Sequence, residues 1–193
     1  THGPTHEIAR RGLEENLRVI EADFREMPGQ YDKLLSIGTL EHAGPDQLAE
    51  VVQAHANAMK PGGLGVIHFI GHVGARDTEF FIRNYIFPGG WIPSLAQALG
   101  AMERCGLEVL DVENLRLHYA RTLAHWSERF AAARERVRAQ SGEEFCRTWE
   151  LYLAGSEAAF RTGWMQLFQV VFAPRASTPP FVTRAPLYSS PGA

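Results

Sequence analysis

Residues 31–72, "YDKLLSIGTLEHAGPDQLAEVVQAHANAMKPGGLGVIHFIGH", place two apolar runs on either side of a helical pattern. "YDKLLSIG" and "LGVIHFIG" are nearly continuous in apolar residues, as strands buried on both faces of a parallel sheet are. Between them, "PDQLAEVVQAHANAMK" repeats apolar residues at helical spacing behind Pro45, and "PGG" at 61–63 is a stop signal. Strand, helix, strand is a βαβ unit, which predicts parallel pairing through a right-handed crossover. In an open α/β sheet, ligands bind beyond the carboxyl ends of the strands. Glu41 and His42 come directly off the first of these strands, at that rim.

Working outward, "EIARRGLEENL" has helical spacing weakened by Gly12, and "RVIEAD" reads as a short strand that brings Asp23 and Phe24 to the same rim. Downstream, "TEFFIRNYI" and "SLAQALGAMERCG" are expected helices around the turn "FPGGWIP". "LEVLDVENL" alternates like a strand. Two long helices follow, about 120–140 and 142–161, before the closing strand "MQLFQVVFA". Two terminal strands flanking helices predict an α/β core over 1–175 with a helical cap at about 115–161. The Pro- and Ser-rich stretch 176–193 reads as an extended tail.

The composition adds bounds. Apolar residues make up 45% and charged residues 21% of 193, ordinary for one globular domain. A net charge of -3 gives no sign of a nucleic-acid partner. Cys105 and Cys146 form no CxxC pair, so no disulfide framework or cysteine zinc site is expected, and a reducing cytoplasm is the default. No apolar run reaches the ~18 residues that would suggest a membrane span, and no signal peptide opens the chain.

Individually, the polar candidates have two readings each. Asp23 with Phe24 could accept from an exocyclic amine and cover a flat heterocycle, or be a solvated turn acid beside a core aromatic. Glu41 could be catalytic, or an acid that favours a helix N-terminus. His68 could serve a site or be a core imidazole, and Tyr119 could face a ligand or pack at a helix start. Glu41, His42, His68 and His72 are ligand types that zinc takes, but "HFIGH" lies on a strand and glycine turn, where i and i+4 do not share a face as they do on a helix. The sequence has no G-x-S-x-G, G-x-x-x-x-G-K-[ST] or G-x-G-x-x-G segment. "FFIRNYIFPGGWIPSL" could be core or could line a slot for a long apolar ligand. Arg129, Arg134, Arg136 and Arg138 could be a solvated face or could meet an anionic membrane.

Taken together, "YDKLLSIGTLEHAG", "MKPGG", "VIHFIG", "NYIFPGGWIPSL", "HYARTLAHW", "YLAGSEAAFR" and "MQLFQVVFA" resemble the cyclopropane-fatty-acyl-phospholipid synthase family, from about residue 19 to 173. These are class I, Rossmann-like methyltransferases that use S-adenosylmethionine. The resemblance implies that Glu41, His68, the Ile70 carbonyl and Tyr119 hold a bicarbonate ion beside the double bond of an unsaturated acyl chain. It implies that Asp23 and Phe24 sit near the cofactor adenine and that Ile37 and Gly38 lie along the cofactor wall, with no metal. The expected reaction delivers a methyl group to the cis alkene and closes a cyclopropane as a proton is lost. Related outcomes are C-methylation to a methylene or methyl branch, or a non-catalytic remnant that binds lipid or a partner protein. The implied partners are an unsaturated fatty-acyl lipid, an anionic inner-membrane surface met peripherally, and a second copy in a homodimer.

The chain departs from the family pattern at its start. It has no D/E-x-G-x-G cofactor loop, and neither cysteine matches the family's cysteine near the bicarbonate. Without the strands that accompany that loop, the sheet is expected to show an unpaired edge and exposed apolar surface next to "YDKLLSIG". The chain is therefore expected to be the C-terminal two-thirds of a longer enzyme.

Overall fold

The computed structural model describes residues 3–179 and 183–188, except for a few side chains, that of Phe24 among them. Four strands form one mixed sheet: β1 (Tyr31–Ile37), β2 (Met59–Gly71), β3 (Leu107–Asn114) and β4 (Gln166–Pro174). Their order is β1-β2-β4-β3. β1 and β2 pair in parallel across helix α2 (Gly44–Asn57), as the βαβ pattern predicts. The closing strand β4 runs antiparallel to both β2 and β3, which the apolar pattern alone could not reveal.

α2 and a second helix, α3 (Leu95–Arg104), cover one face of the sheet. α2 buries Leu48, Val51, Val52 and His55, the i, i+3, i+4, i+7 stripe of an amphipathic helix. α3 starts at a full capping box, in which Ser94 accepts from Gln97 N–H and the Gln97 side chain accepts from Ser94 N–H. Against these helices the sheet presents Ile67 and Phe69 from β2 and Phe168, Val170 and Phe172 from β4, all nearly inaccessible. The period-2 alternation sends Val66, His68 and Ile70 to the opposite face.

That opposite face is covered at one end by the long helix α4 (Arg116–Thr162), which joins β3 to β4. Gly142, with φ +85° and ψ 170°, breaks α4 into two arms. Such a backbone suits glycine alone. The arms lie against each other in opposite directions: Arg134 pairs with Glu143 and Glu150, and Arg116 donates to the carbonyls of Phe160 and Arg161 at 2.7 Å. Among the described residues no helix is long and apolar enough to cross a membrane.

Several expectations change. Residues 18–23 form no strand; they are exposed, with Val19 at 47% and Ile20 at 48%. Among the described residues no neighbouring edge pairs with them, and a lone extended segment leaves its backbone groups to water. The first helix starts earlier than its apolar spacing implies, at Pro4–Arg10, and the chain turns at Gly12 with φ +63°. α2 stops at Asn57, and Met59 already pairs with Tyr31, so "PGG" forms a bulge at the entry to β2 rather than a separate turn. Of "TEFFIRNYI" only residues 80–86 are helical, and Ile82–Ile86 is a π-helical turn. The described part of the tail is tied down, because Arg184 donates to the Asp111 carboxylate. β1 is an edge strand with Leu35 at 68% and Ile37 at 66% exposure.

Gly65 lies opposite Phe172 in the β2–β4 ladder, and a Cβ built there would come within 2.4 Å of the buried Phe172 ring. Gly65→Ala is expected to destabilise the fold by about 1–3 kcal/mol, the usual cost of overpacking, read as a lowered urea midpoint at unchanged m-value.

Candidate active site

β2 extends past the end of β1. The last ladder bond between them is Gly38 N–H to the His68 carbonyl, at 2.9 Å. The next β2 group facing that side is the Ile70 N–H, which has no strand to bond. Glu41, carried there by the 3-10 turn Leu40–His42, supplies the acceptor: Ile70 N–H donates to Glu41 Oε1 at 2.7 Å. In an extended strand the N–H and C=O of one residue point the same way. The Ile70 carbonyl therefore also faces the rim beyond β1.

Glu41 Oε2 is buried and has no hydrogen-bond partner among the described residues. Burial pushes the Glu41 carboxyl above the ordinary carboxylate range, and the Ile70 N–H partly offsets this. The Ile70 side chain packs in the second core cluster together with Tyr119, Leu167 and Phe160. Tyr119 is fixed edge-on to Phe160, with ring centres 4.8 Å apart, and to Trp126 at 6.1 Å. Burial pushes the Tyr119 phenol up, and the neighbouring Tyr152 and Glu41 add to the effect. Glu41, Ile70 and Tyr119 are thus assembled around one end of β2, although they lie far apart in the chain.

His68 sits two residues before Ile70 on the same face of β2 and forms no side-chain hydrogen bond among the described residues. Burial lowers its pKa, so its ring is neutral at pH 7 and one nitrogen has a free lone pair. Ile37 and Gly38 end β1 at the open rim. Asp23 lies in the exposed loop just before the 3-10 turn Phe24–Glu26. Its carboxylate accepts from the Arg25 backbone N–H at 2.9 Å and from the Arg25 guanidinium, which also reaches Glu50 on α2 and holds Asp23 down to about 2. With no strand over 18–23 to carry it forward, Asp23 turns back on its own loop. Glu41, His42, His68 and His72 are not gathered as a metal site; among the described residues no group of three or more His, Cys, Asp or Glu is placed to hold an ion.

Ile70 and Tyr119 also line a cavity of about 420 Å³. Its walls come from the segment after β2, through Phe81, Ile82 and Phe87, and from the second arm of α4. The aromatic run at 80–95 therefore lines a slot as well as packing. Sequence reasoning placed Tyr119 of α4 at the site but missed the contribution of the second arm. Tyr152, Gly155, Ser156 and Ala159 follow one another at helical spacing along one side of the arm. The small residues in "YLAGSEAAF" were the available signal, since they leave room beside a helix. His72, considered only as a metal ligand, is a buried wall residue.

The family model for mycolic acid cyclopropane synthetase matches residues 3–170. A Pseudomonas putida protein described as "Probable fatty acid methyltransferase" is 38% identical over 172 residues, covering 85% of this chain and 44% of that one. The tuberculostearic acid methyltransferase UfaA1 of Mycobacterium tuberculosis is 35% identical over 169 residues, covering 84% of this chain and 40% of that one. The chain thus spans less than half the length of these curated relatives. Among solved structures, mycolic acid cyclopropane synthase CmaA1 complexed with SAH and CTAB aligns with a TM-score of 0.76 at 26% identity, covering 87% of this chain and 65% of that one. A mixed α/β sheet of the methyltransferase type, an acyl-modifying family match over most of the chain and the site at the sheet rim agree: the chain belongs to the mycolic acid cyclopropane synthetase family.

Proposed function

We propose that this chain carries the lipid-binding and proton-handling part of an S-adenosylmethionine-dependent enzyme that methylates the cis double bond of an unsaturated acyl chain and closes it to a cyclopropane. The observation that carries the reading is the apolar cavity of about 420 Å³ that ends against Ile70 and Tyr119, beside the buried carboxylate of Glu41. Such a volume is within the usual range for small-molecule sites. The reading draws support from the acyl-modifying relatives and from the SAH-bound relative of like fold.

The orphaned Glu41 Oε2 suits a bicarbonate ion, because that ion brings a hydroxyl proton for the oxygen to accept. Bound there, bicarbonate would supply the base for the proton lost on ring closure. Glu41 would fix its orientation, with Oε1 immobilised by the Ile70 N–H. Tyr119 would donate its hydroxyl hydrogen, which burial keeps on the oxygen at neutral pH. Neutral His68 would donate through its protonated nitrogen. The apolar walls would exclude water and hold the alkene at reacting distance.

The curated relatives named as methyltransferases support a second outcome, a methyl branch instead of a ring. Incubating the full-length protein with S-adenosylmethionine and oleoyl phospholipid separates the two, since only the ring gives upfield cyclopropane proton resonances. Absence of any product containing the transferred methyl group would overturn the proposal.

Glu41→Gln and His68→Ala are each expected to lower turnover by about 10²–10⁴-fold with cofactor affinity nearly unchanged, measured by product formation alongside calorimetric titration. The carboxyl pKa of Glu41 is raised on folding, so its contribution favours the fold below about pH 4.3, the unfolded value, and is lost as the pH rises through the folded value. Glu41→Gln should therefore be more stable than wild type at pH 7, with the difference vanishing in acid. Ala159→Trp, which fills the cavity from α4, should abolish binding of acyl chains while leaving the unfolding free energy within about 1–3 kcal/mol of wild type, read by urea titration.

A further inference from the structure

Three residues that line the cavity are also at least half exposed: Phe87 at 50%, Leu151 at 59% and Trp164 at 51%. A side chain that faces both a cavity and solvent stands at its mouth. The three come from the segment after β2, the second arm of α4 and the turn between α4 and β4, so separate elements build the rim. Arg76 stacks 4.0 Å over the Trp164 ring and holds that indole in place. Phe80 and Tyr85 widen the rim, at 66% and 62% exposure. Tyr85 is in ring contact with Phe80 and stacks on Phe81, itself part of the cavity wall. Apolar surface gathered in one exposed place marks a contact with a protein or a membrane.

Charge and chemistry favour the membrane. Among the described residues the charged groups on the wall are Arg76, Asp77 and Glu79, and Arg83 lies in the π-helical turn beside them, so the signs cancel. Such a mouth has no excess charge with which to steer a charged protein. Of the basic run on α4, Arg134 and Arg138 spend their charge on Glu143, Glu150 and Glu135. Tryptophan and tyrosine, with an apolar body and a polar tip, settle at the bilayer interface. An acyl chain also loses favourable burial for every methylene that crosses water between a bilayer and the cavity. A mouth seated on the bilayer removes that crossing.

We propose that the rim formed by Phe80, Tyr85, Phe87, Leu151 and Trp164 docks on a lipid bilayer by inserting its apolar side chains, with little dependence on lipid charge. An acyl chain then passes from the bilayer into the cavity without meeting water. The inference rests on the cavity's receiving an acyl chain.

The test is flotation of the full-length protein with vesicles of phosphatidylcholine alone and of phosphatidylglycerol alone. Affinities for the two are expected to agree within about 3-fold and to survive ~1 M salt, which screens contacts between charges. Phe80→Ser combined with Tyr85→Ser should weaken vesicle binding by about 10-fold or more, whereas Arg129→Glu with Arg136→Glu should not. Because the aromatic variant could misfold, tryptophan emission of wild type gives an independent reading. Lipids brominated on their acyl chains should quench it in the bound protein, and Trp164→Phe should remove most of that quenching. Binding to phosphatidylglycerol alone that salt abolishes, or quenching unchanged in Trp164→Phe, overturns the docking surface. So does uptake of an acyl chain from a carrier protein with no binding to either vesicle. Vesicle binding that is lost in the aromatic variant, with no methyl group transferred to any lipid, upholds the surface and overturns the proposed reaction alone.

Discussion

The hydrogen bond from Ile70 N–H to Glu41 sets the geometry of the functional end of this protein. It exists because two neighbouring strands differ in length. β1 stops at Ile37 while β2 continues to Gly71, which exposes a donor that the ladder cannot satisfy. Buried backbone donors are nearly always paired, and here the partner is a carboxylate on the turn that leaves the shorter strand. One carboxylate oxygen closes the backbone account. The other is thereby held in a fixed place with its capacity unused. A structural need and a chemical opportunity meet in one side chain.

The second constraint is the crossing of that strand end by α4. Tyr119 from the first arm and Phe160 from the second meet against Ile70 and Leu167, so the same cluster closes the core and forms the cavity floor. Gathered here are an acid made weaker by burial, a phenol kept protonated and an imidazole kept neutral. Under the proposed function, the protonated phenol and the neutral imidazole add no permanent charge whose desolvation the site would have to offset.

Much of this was legible in the sequence. The β1–α2–β2 unit, the strand-end position of Glu41 and the break near residue 142 follow from apolar periodicity and glycine placement, because these depend on local chemistry. Tyr119 and Ile70 could be placed at the site only through the family likeness, since no local signal tells that residue 119 meets residue 70. The antiparallel insertion of β4 between β2 and β3 was hidden for the same reason: direction is a property of the sheet, not of the strand's own residues. The strand expected over 18–23 does not form, because the short apolar run Val19, Ile20 and Ala22 looks like a strand in sequence while strand formation needs a neighbour. His72 was overlooked as a wall residue because burial of a histidine leaves no mark on the sequence around it.

β3 and β4 are adjacent and antiparallel, so a short hairpin could have joined them. The chain instead inserts the 47 residues of α4. Closing a longer loop between fixed ends adds an entropy penalty that grows only logarithmically with length. The far tip at Gly142 can therefore gain or lose helical turns in descent without disturbing the register of the sheet or the rim residues. Such a joint lets the outer length of the helical pair vary while the sheet end it crosses keeps its packing.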